Sequence, residues 1–333
     1  MTILVTGGAG YIGSICVEEL LRQGHEVIVI DNLQEGHREA VCPQATLYEG
    51  DIGDRFLLNN LFHDFHIETV MHFAAEATVE FSMKDPQLFF KTNVAKGLVL
   101  LDVMKENGCN KMIFSSTAAL FGNPEYVPID EKHPEQPINA YGESKLMYER
   151  ILEWYHSAYG LQYNSFRYFN AAGASEALGE AHIKESHLIP IILSAALGQR
   201  EKLYIFGSDY PTKDGTCVRD YLHVIDIAQA HILGLDNLEK RPKAKYNLGN
   251  GVGFTNLEVL KTSEKVSGKI IPFEFTERRM GDPDRLVASS DLAKEELGWK
   301  PQFDTLESII RSAWEWHSKH PEGYATRNDF LTR

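Results

Sequence analysis

Short runs of β-branched and aromatic residues alternate with amphipathic helical patterns over the first half of the chain. The runs cover residues 3–5, 27–30, 69–73, 111–116 and 163–168, and the helical patterns cover residues 12–23, 54–64, 86–107 and 141–159. Strand, helix and strand at this spacing predict an α/β fold built on a doubly wound parallel sheet. Sheets of this kind bind ligands at the carboxyl ends of their strands.

The alternation loosens after about residue 170, where long loops such as AAGASEALGEAHIKES appear. Helical patterns continue at residues 186–198, 226–239, 256–267 and 305–318. The chain has 333 residues, which is more than one hydrophobic core usually holds. We therefore expect a first domain at residues 1–170, to which residues of about 220–245 return. Residues 171–333 are expected to form a smaller, discontinuous, mixed α/β substrate-binding lobe.

The charge of the chain excludes some classes of partner. The sequence carries 47 acidic and 33 basic residues, which gives a formal net charge of −14, and 43% of its residues are hydrophobic. This negative excess disfavours a nucleic-acid partner and an anionic membrane surface. An anionic small molecule would have to be held by individual arginines.

The cysteines and the start of the chain indicate a compartment. Cys16, Cys42, Cys109 and Cys217 form no C-x-x-C pair and no spacing typical of metal ligands, so free thiols and no bound metal are expected. The chain begins MTILVTGG, which has no basic segment before an apolar stretch. No apolar run approaches the length of about eighteen residues that a membrane span needs. We expect a cytoplasmic protein with no membrane partner.

The segment VTGGAGYIGS follows the first predicted strand and opens the first predicted helix. Gly8, Gly10 and Gly13 fit G-x-G-x-x-G, and Gly7 adds a G-x-x-G-x-x-G pattern. Residues without a Cβ atom let the backbone approach a pyrophosphate, and the helix N-terminus supplies free N–H groups. The segment predicts a Rossmann-type dinucleotide site; the alternative is that the glycines only form a tight turn.

Acidic residues at the strand ends favour a particular dinucleotide. Asp31 closes the second predicted strand, 18 residues past Gly13. A carboxylate there accepts both adenosine ribose hydroxyls and repels a 2′-phosphate, so NAD is favoured over NADP. Asp51 and Ile52 end the next strand, where an acid could bond the adenine amine, although a surface turn is an equal interpretation of Asp51. Residues 72–75, HFAA, end the fourth strand near the expected pyrophosphate and nicotinamide ribose.

Tyr141 and Lys145 lie four residues apart in a predicted helix, and hence on one side of it. A phenol titrates near pKa ~10, so a base near neutral pH needs a shift of about three units, roughly 4 kcal/mol. One ammonium about 6 Å away, at an effective dielectric of ~20, supplies roughly 2.8 kcal/mol. Lysine alone falls short, and we expect the positive nicotinamide ring to supply the rest. Thr117, after the fifth strand, adds a hydroxyl to share the proton; outside a dinucleotide fold the pair would be an ordinary amphipathic one.

The chain contains, in this order, the segments TGGAGYIGS, DNL, GDI, HFAA, TNV, SSTAALFG, YGESK, RYFNAAGA, IFGSDYPTKDGTCVRDYLHVIDIA and RRMGDPD. On these segments it resembles the extended short-chain dehydrogenase/reductase family, and within it the UDP-glucose 4-epimerases, also called UDP-galactose 4-epimerases. The resemblance covers residues 1 to about 318. The segments of the second half are far more specific than the glycine loop.

The resemblance implies NAD as cofactor and a UDP-hexose as substrate, with Tyr141 as base and acid, Lys145 as its partner and Thr117 as the family's Ser/Thr hydroxyl. It implies a cofactor site formed by Gly7, Gly10, Tyr11, Ile12, Gly13, Asp31, Asn32, Asp51, Ile52, Phe73, Ala74, Ala75, Asn93, Ser115, Tyr141, Lys145 and Tyr168. It implies a substrate site formed by Thr117, Asn170, His187, Leu188, Tyr204, Phe206, Arg219, Arg279 and Asp282. The arginine fork matches phosphate oxygens; without the family, both arginines would be read as surface ion-pair partners.

Two positions limit what the resemblance implies. Ala77 stands near the place where some members carry a lysine that contacts the cofactor, so we expect no such contact. Leu286 falls where the family carries either a bulky or a small residue facing the sugar's 2-position. Leucine is intermediate, and we expect a preference for unacetylated substrates; the alternative is that Leu286 belongs only to the core.

The implied reaction is reversible inversion at C4 of a UDP-hexose through a transient 4-keto sugar, as in galactose metabolism. The resemblance also implies a homodimer, for which the segments 86–107 and 141–159 are candidates. A 4,6-dehydratase of the family carries acidic residues directly after the threonine, whereas Ala118 and Ala119 follow Thr117 here. A UDP-sugar decarboxylase, a simple dehydrogenase and a non-catalytic NAD-binding regulator would each also be compatible with a dinucleotide fold.

Overall fold

A seven-stranded parallel sheet forms the centre of the protein, in a computed structural model that describes residues 1–279 and 282–324. Its strands are β1 (Thr2–Thr6), β2 (Glu26–Asp31), β3 (Thr46–Glu49), β4 (Thr69–His72), β5 (Lys111–Ser115), β6 (Gln162–Tyr168) and, much later in the chain, β11 (Lys243–Leu248). The spatial order is β11-β6-β5-β4-β1-β2-β3. This is the Rossmann order extended by one strand at the β6 edge.

The helices are α1 (Tyr11–Arg22), α2 (Arg55–Phe65), α3 (Val79–Lys84), α4 (Pro86–Phe89), α5 (Gly97–Glu106), α6 (Ala140–Tyr159), α7 (Leu188–Ala196), α8 (Val224–Asn237), α9 (Asn256–Ser267), α10 (Asp291–Leu297) and α11 (Leu306–Lys319). Short 3₁₀ turns lie at Arg38–Ala40 and Ala118–Phe121, and a π-helical segment lies at Phe90–Lys96. The predicted strands of the first half and the predicted helices agree with these bounds to within two residues, with one difference at residues 86–107. No helix in the described parts of the chain is long and apolar enough to cross a membrane.

Helices cover both faces of the sheet, so most residues of strands β1, β2, β4, β5 and β6 are buried. Successive side chains of β1 point to opposite faces, and each enters a separate core. Val5 packs in the core that includes Ile227 of α8. Leu4 packs in the core that includes Leu58 of α2 and Leu152 of α6. The carboxyl ends of the strands therefore remain free for a ligand.

The segment predicted as one helix at residues 86–107 is divided into three parts. Pro86 stands in the first turn of α4, and the Asp85 carboxylate accepts the Leu88 N–H at 3.2 Å. The backbone then widens into the π-helical segment before α5 begins at Gly97. Apolar periodicity does not separate a π turn from an α turn, so the sequence could not show this break; π segments are frequent at functional sites.

The name second lobe is used here for the short strands outside the central sheet together with helices α7, α9 and α11. The strands pair as β7 (Asn170–Ala172) with β10 (Tyr221–His223), as β8 (Leu203–Phe206) with β13 (Phe273–Thr276), and as β12 (Phe254–Thr255), β9 (Val218–Arg219) and β14 (Arg285–Leu286) in that order. Helices α7, α9 and α11 share one core, which includes Ile192, Leu260 and Ile310. The pairs join distant parts of the chain, which places loops of this lobe beside the end of β6.

Candidate active site

The glycine loop connects β1 to α1. At two of its positions, Gly7 and Gly13, there is no room for a side chain. A Cβ atom on Gly7, whose φ is +71°, would lie 2.6 Å from the Ala74 amide nitrogen. A Cβ atom on Gly13 would lie 2.2 Å from the Gly7 carbonyl oxygen. Gly10 precedes α1 and has no side chain to cap it, so the first N–H groups of this twelve-residue helix face the loop. This arrangement suits a pyrophosphate.

Asp31 holds a fixed carboxylate next to the loop. One oxygen accepts the Ala9 N–H at 3.0 Å and the other accepts the Leu33 N–H at 2.9 Å. Burial raises the pKa of the Asp31 carboxyl, and the two backbone bonds offset part of this rise. The next residue, Asn32, is exposed and its side-chain oxygen accepts the Gln34 N–H at 3.1 Å. Asp31 is thus oriented before any ribose arrives.

Asp51 follows β3 and is held by a lysine that the sequence did not single out. The Lys96 ammonium lies 2.5 Å from one Asp51 oxygen, and the Gly53 N–H bonds the other at 2.7 Å. Burial would raise the pKa of Asp51, but these partners bring it below its ordinary value. Ile52 beside it is buried. Lys96 comes from the π-helical segment, so its approach depends on a helix break that the sequence does not reveal.

The end of β4 is tied to the helix that carries the tyrosine. The Ala74 N–H bonds the Thr6 carbonyl of β1 at 3.1 Å. The Asn93 amide, also in the π-helical segment, donates to the Glu76 carbonyl at 3.0 Å and to the Ser144 hydroxyl at 2.9 Å. These bonds connect the loop after β4 to α6. Phe73 and Ala75, which are partly buried, lie in the same stretch.

Tyr141, Lys145 and Thr117 meet at the carboxyl edge of β5. Asn139 caps α6 by accepting the Gly142 N–H at 2.8 Å, which places Tyr141 in the first turn and Lys145 one turn later. Thr117 begins the short 3₁₀ turn after β5. The Lys145 ammonium donates to the Ser115 carbonyl at 2.8 Å, at the end of the same strand.

Burial governs the protonation of the two titratable members of this trio, Tyr141 and Lys145. Burial raises the pKa of the Tyr141 phenol, and hydrogen bonding with the Thr117 side chain lowers it in part. Burial also lowers the pKa of Lys145 to about 7, against the opposing effect of the Glu149 carboxylate. The side chains nearby therefore do not by themselves make Tyr141 a base. A cation beside the phenol is still required.

A buried ion network between α6 and β6 lies near the trio, and the sequence analysis did not predict it. Arg167 of β6 is fully buried and its Nε donates to Glu149 of α6 at 2.9 Å. The Ser116 hydroxyl donates to the same carboxylate at 2.6 Å. Glu149 follows Lys145 by four residues and thus shares its side of α6. That spacing was a signal in the sequence, but its partner Arg167 is eighteen residues away and could not be paired with it.

The predicted substrate residues come together in two pairs. The guanidinium of Arg219, a buried residue of β9, pairs with the Asp282 carboxylate. The Arg279 guanidinium lies over the Phe206 ring of β8, 4.0 Å from its centroid. Leu286 of β14 is opposite Arg219 in the strand register. Ala77, near the position of the family's lysine, and Ala119, after Thr117, are both uncharged residues.

The remaining predicted residues lie on several different elements. Tyr11 donates from its hydroxyl to the Gly173 carbonyl at 2.7 Å, and Ser115 and Tyr168 share a hydrogen bond between their hydroxyls. Asn170 begins β7 and its N–H bonds the Asp220 carbonyl at 3.0 Å. Tyr204 on β8 is half exposed. Ile12 belongs to α1, and Leu188 begins α7 directly after His187.

The shape of the site fits a dinucleotide. In this fold that dinucleotide is NAD. The loop is closed to side chains at Gly7 and Gly13, and Asp31 presents an oriented carboxylate beside it. Lys145 of α6 bonds the carboxyl end of β5, and Tyr141 of the same helix is hydrogen-bonded with Thr117 just after that strand. Fold and site together are those of an NAD-dependent enzyme of the Rossmann class.

Comparisons with known proteins identify the family. Residues 3–249 match the NAD dependent epimerase/dehydratase family. The chain is 50% identical to a UDP-glucose 4-epimerase of Lacticaseibacillus casei, over 98% of this chain and 100% of that protein. It superimposes on a crystal structure of a UDP-glucose 4-epimerase with a TM-score of 0.96 and 49% identity, covering 98% of this chain and 100% of the other.

A second solved structure carries ligands. The UDP-glucose 4-epimerase from Bifidobacterium longum, in complex with NAD⁺ and UDP, has a TM-score of 0.93 and 37% identity, over 97% of this chain and 100% of that one. The chain belongs to the NAD dependent epimerase/dehydratase family, among its UDP-glucose 4-epimerases.

Proposed function

We propose that this protein is an isomerase that interconverts UDP-glucose and UDP-galactose by inverting C4, with NAD as its cofactor. The observation that carries the proposal is that Lys145 bonds the carboxyl end of β5 and that Tyr141 is hydrogen-bonded with Thr117 just after it. The identity of about half of all residues with a UDP-glucose 4-epimerase over its full length supports it.

In the proposed mechanism Tyr141 acts first as base and then as acid. Its phenolate, with the Thr117 hydroxyl, takes the proton of the sugar's 4-hydroxyl and later returns it. NAD, when bound, supplies the oxidation and reduction of C4, so that the sugar passes through a 4-keto form. Lys145 is held by the Ser115 carbonyl at 2.8 Å and, when protonated, adds a positive charge on the same side of α6 as the phenol. The cofactor site is proposed to consist of the residues that the family resemblance implies.

Inversion requires that the keto sugar present its other face. We propose that Arg219 and Arg279 hold the diphosphate while the hexose turns about it, because a guanidinium fork binds phosphate oxygens firmly and stays charged. Arg219 ends β9, and Arg279 follows β13, so both belong to the second lobe. Residues 1–170 with α8 and β11 would hold the dinucleotide, and the second lobe would hold the UDP-hexose.

The residues of the short turn after Thr117 argue against a dehydratase. Loss of the C6 hydroxyl needs a further acid and base next to the reacting sugar. The residues that follow Thr117 are Ala118 and Ala119 in the 3₁₀ turn, which carry no ionisable group. A decarboxylase would release carbon dioxide from a UDP-uronate, and a simple dehydrogenase would accumulate NADH.

A direct assay separates these possibilities. Purified protein is incubated with UDP-galactose and no added NAD, and the products are resolved by chromatography. We expect UDP-glucose to form until equilibrium, with no net NADH, because the cofactor is regenerated in each cycle. Failure to form UDP-glucose from protein that contains NAD would contradict the proposal and would favour a non-catalytic NAD-binding role.

The sugar range is proposed from Leu286, which lies opposite Arg219. Its intermediate size favours unacetylated substrates. We expect kcat/KM for UDP-galactose to exceed that for UDP-GalNAc, and we expect Leu286→Ala to narrow the difference. Comparable values for both sugars in the unaltered protein would contradict this specificity.

We further propose a cytoplasmic homodimer that acts in galactose metabolism. The four cysteines are free thiols, which fits a reducing compartment. Helix α6 exposes Trp154 at 75% and Met147 at 39%, seven residues apart and so on one face. Large apolar side chains exposed together on one helix favour a protein interface, and a second copy of the chain is the proposed occupant.

A further inference from the structure

Four side chains of the loop before α7 converge, at a distance along the chain from the catalytic trio. They are Glu180, His182, Glu185 and His187, and one nitrogen or oxygen atom from each lies within 4.8 Å of the others. The Nδ1 atom of His187 lies 2.7 Å from Glu180 Oε1 and 3.2 Å from Glu185 Oε1. The Nδ1 atom of His182 lies 3.1 Å from the same Glu180 oxygen and 3.4 Å from Glu185 Oε2. Both imidazoles thus aim the same atom at the same two carboxylates.

The carboxylates are held in place by the fold. The Glu180 side chain is only 4% exposed, and that of Glu185 is 15% exposed. Glu185 Oε1 accepts the N–H groups of Ser186 and His187, each at 2.7 Å. The Tyr11 ring contacts His182 edge-on, 6.3 Å between ring centroids. Glu185 is therefore held by the backbone that follows it, and the Tyr11 ring packs against His182 from outside the cluster, as supporting contacts order the ligands of a metal site.

A cavity of about 530 Å³ opens beside the cluster. Its lining includes Glu180, His182, Glu185 and the ring of His317. An ion could therefore reach the cluster from solvent, while the His187 ring is itself 60% exposed on its outer side. An entry path and a set of inward-facing ligand atoms are both present.

We propose that Glu180, His182, Glu185 and His187 bind a Zn²⁺ ion. Two imidazole nitrogens and two carboxylate oxygens are a ligand set that suits zinc, whereas calcium and magnesium prefer oxygen alone. Four protein ligands make a closed, structural site. The ion would connect the loop to the start of α7 at Leu188, and so fix one wall of the proposed UDP-hexose site. The site does not depend on the proposed epimerase activity.

The competing interpretation is a cluster of ion pairs between protonated histidines and the glutamates. The two interpretations differ in what zinc does, because a metal ligand must be an unprotonated imidazole. Zinc binding should therefore weaken as the pH falls from 8 to 6 in the metal interpretation, where protons compete for the two rings. An ion-pair cluster binds no zinc at either pH.

The experiment uses the NAD-containing protein after dialysis against a chelator and then against metal-free buffer. Zinc chloride is added, unbound metal is removed, and zinc per chain is measured by atomic spectroscopy, with affinity from competition against a chromophoric chelator. We expect about one Zn²⁺ per chain. His182→Gln and Glu185→Gln should each weaken binding by more than about 100-fold, because even outer-shell changes cost 10- to 100-fold.

Two matched variants control for other zinc ligands. His317→Gln removes an imidazole that lines the same cavity but is outside the cluster, and Cys42→Ser removes the half-buried thiol. Both should bind zinc as the unaltered protein does. Retained NAD content shows that each variant is folded. Cobalt added in place of zinc should give the strong visible absorption of a tetrahedral site, and zinc should raise Tm only in proteins with the intact cluster.

The outcomes are decisive in both directions. Loss of zinc binding in His182→Gln and Glu185→Gln, with binding kept in both controls, supports the site. Absence of bound zinc in the unaltered protein, equal binding in all variants, or loss in Cys42→Ser alone would each overturn it and leave an ion-pair cluster only. Epimerase activity that fails while zinc binding persists would contradict the proposed function and leave the metal site standing.

Discussion

The Tyr141 phenol needs more positive charge than the side chains around it provide. Burial raises its pKa, and the Thr117 contact offsets only part of that rise. Lys145 is itself buried, which lowers its pKa to about 7, so its own charge is costly to maintain. We expect the cationic ring of NAD⁺ to supply the charge that makes Tyr141 basic. Coulomb's law gives one ammonium about two of the three pKa units required, which is why a second cation is expected.

Tyr141→Phe removes the proton acceptor and leaves the ring. We expect kcat for UDP-galactose to fall by about 10²- to 10⁴-fold, the usual contribution of a general base, while UDP binding measured by calorimetry changes little. Tyr159→Phe on the same helix, where the side chain is exposed, is the control and should keep full activity. An unchanged kcat in Tyr141→Phe would remove Tyr141 from the mechanism.

Lys145 gives a pH dependence of stability in protein from which NAD has been removed. Its folded pKa of about 7 lies below the ordinary value for lysine, so between these values the unfolded chain binds more protons than the folded one. Stability due to this group should therefore rise with pH above about 7, and the cost of burying the charge should be fully present below it. Urea unfolding of the unaltered protein should show this rise, and Lys145→Met should lose it.

Lys132→Met, at an exposed position, is the control for the lysine experiment and should keep the slope. Equal slopes in the unaltered protein and Lys145→Met would show that Lys145 stays charged in the fold.

At the scale of elements, α6 supports both chemistry and stability. One face of it carries Tyr141, Lys145 and Glu149 at intervals of four residues. Glu149 accepts from Ser116 after β5 and from Arg167 in β6, so the helix is bound to two adjacent strands of the sheet. We expect the positions of Tyr141 and Lys145 to depend on this buried ion pair, which lies one turn further along α6.

Glu149→Gln tests that dependence. It leaves the Arg167 guanidinium buried with less compensating charge, for which the expected loss of stability is about 3–5 kcal/mol in urea unfolding. Loss of the carboxylate should also lower the pKa of Lys145 further, since Glu149 raises it. Glu143→Gln, in the first turn of the same helix, is the matched control and should change stability by less than about 0.5 kcal/mol. Equal effects of the two variants would show that the network is not a support.

At the scale of the whole molecule, the sheet and the glycine loop could be predicted because their signals are local. The apolar runs of β1 and β2 and the glycines between them lie within about thirty residues of one another. The pairing of Arg167 with Glu149, the placement of Lys96 on Asp51 and the addition of β11 beside β6 join distant segments. No period or motif in the sequence encodes these contacts. The sequence shows the glutamates and histidines before α7, but it does not show that they form a cluster. Only the folding of the loop brings their atoms together.

The exposed face of α6 predicts the assembly. Trp154→Glu places a charge at the centre of the proposed interface, and we expect it to convert the dimer into a monomer in light scattering after size exclusion. Phe56→Glu on α2, where the side chain is 77% exposed, is the control and should leave the dimer intact. A monomer in the unaltered protein, or a dimer in Trp154→Glu, would contradict the proposed interface.

The most direct test of the account follows a deuterium atom at C4 of UDP-galactose. Protein is incubated with the labelled sugar and an excess of free, unlabelled NAD⁺, and the UDP-glucose formed is analysed by mass spectrometry and NMR. If one retained cofactor oxidises and then reduces C4, with Tyr141 as base and acid, the product keeps the deuterium at C4. No deuterium then appears in the added NAD⁺. UDP-glucose without deuterium at C4, or label in the added cofactor, would contradict it.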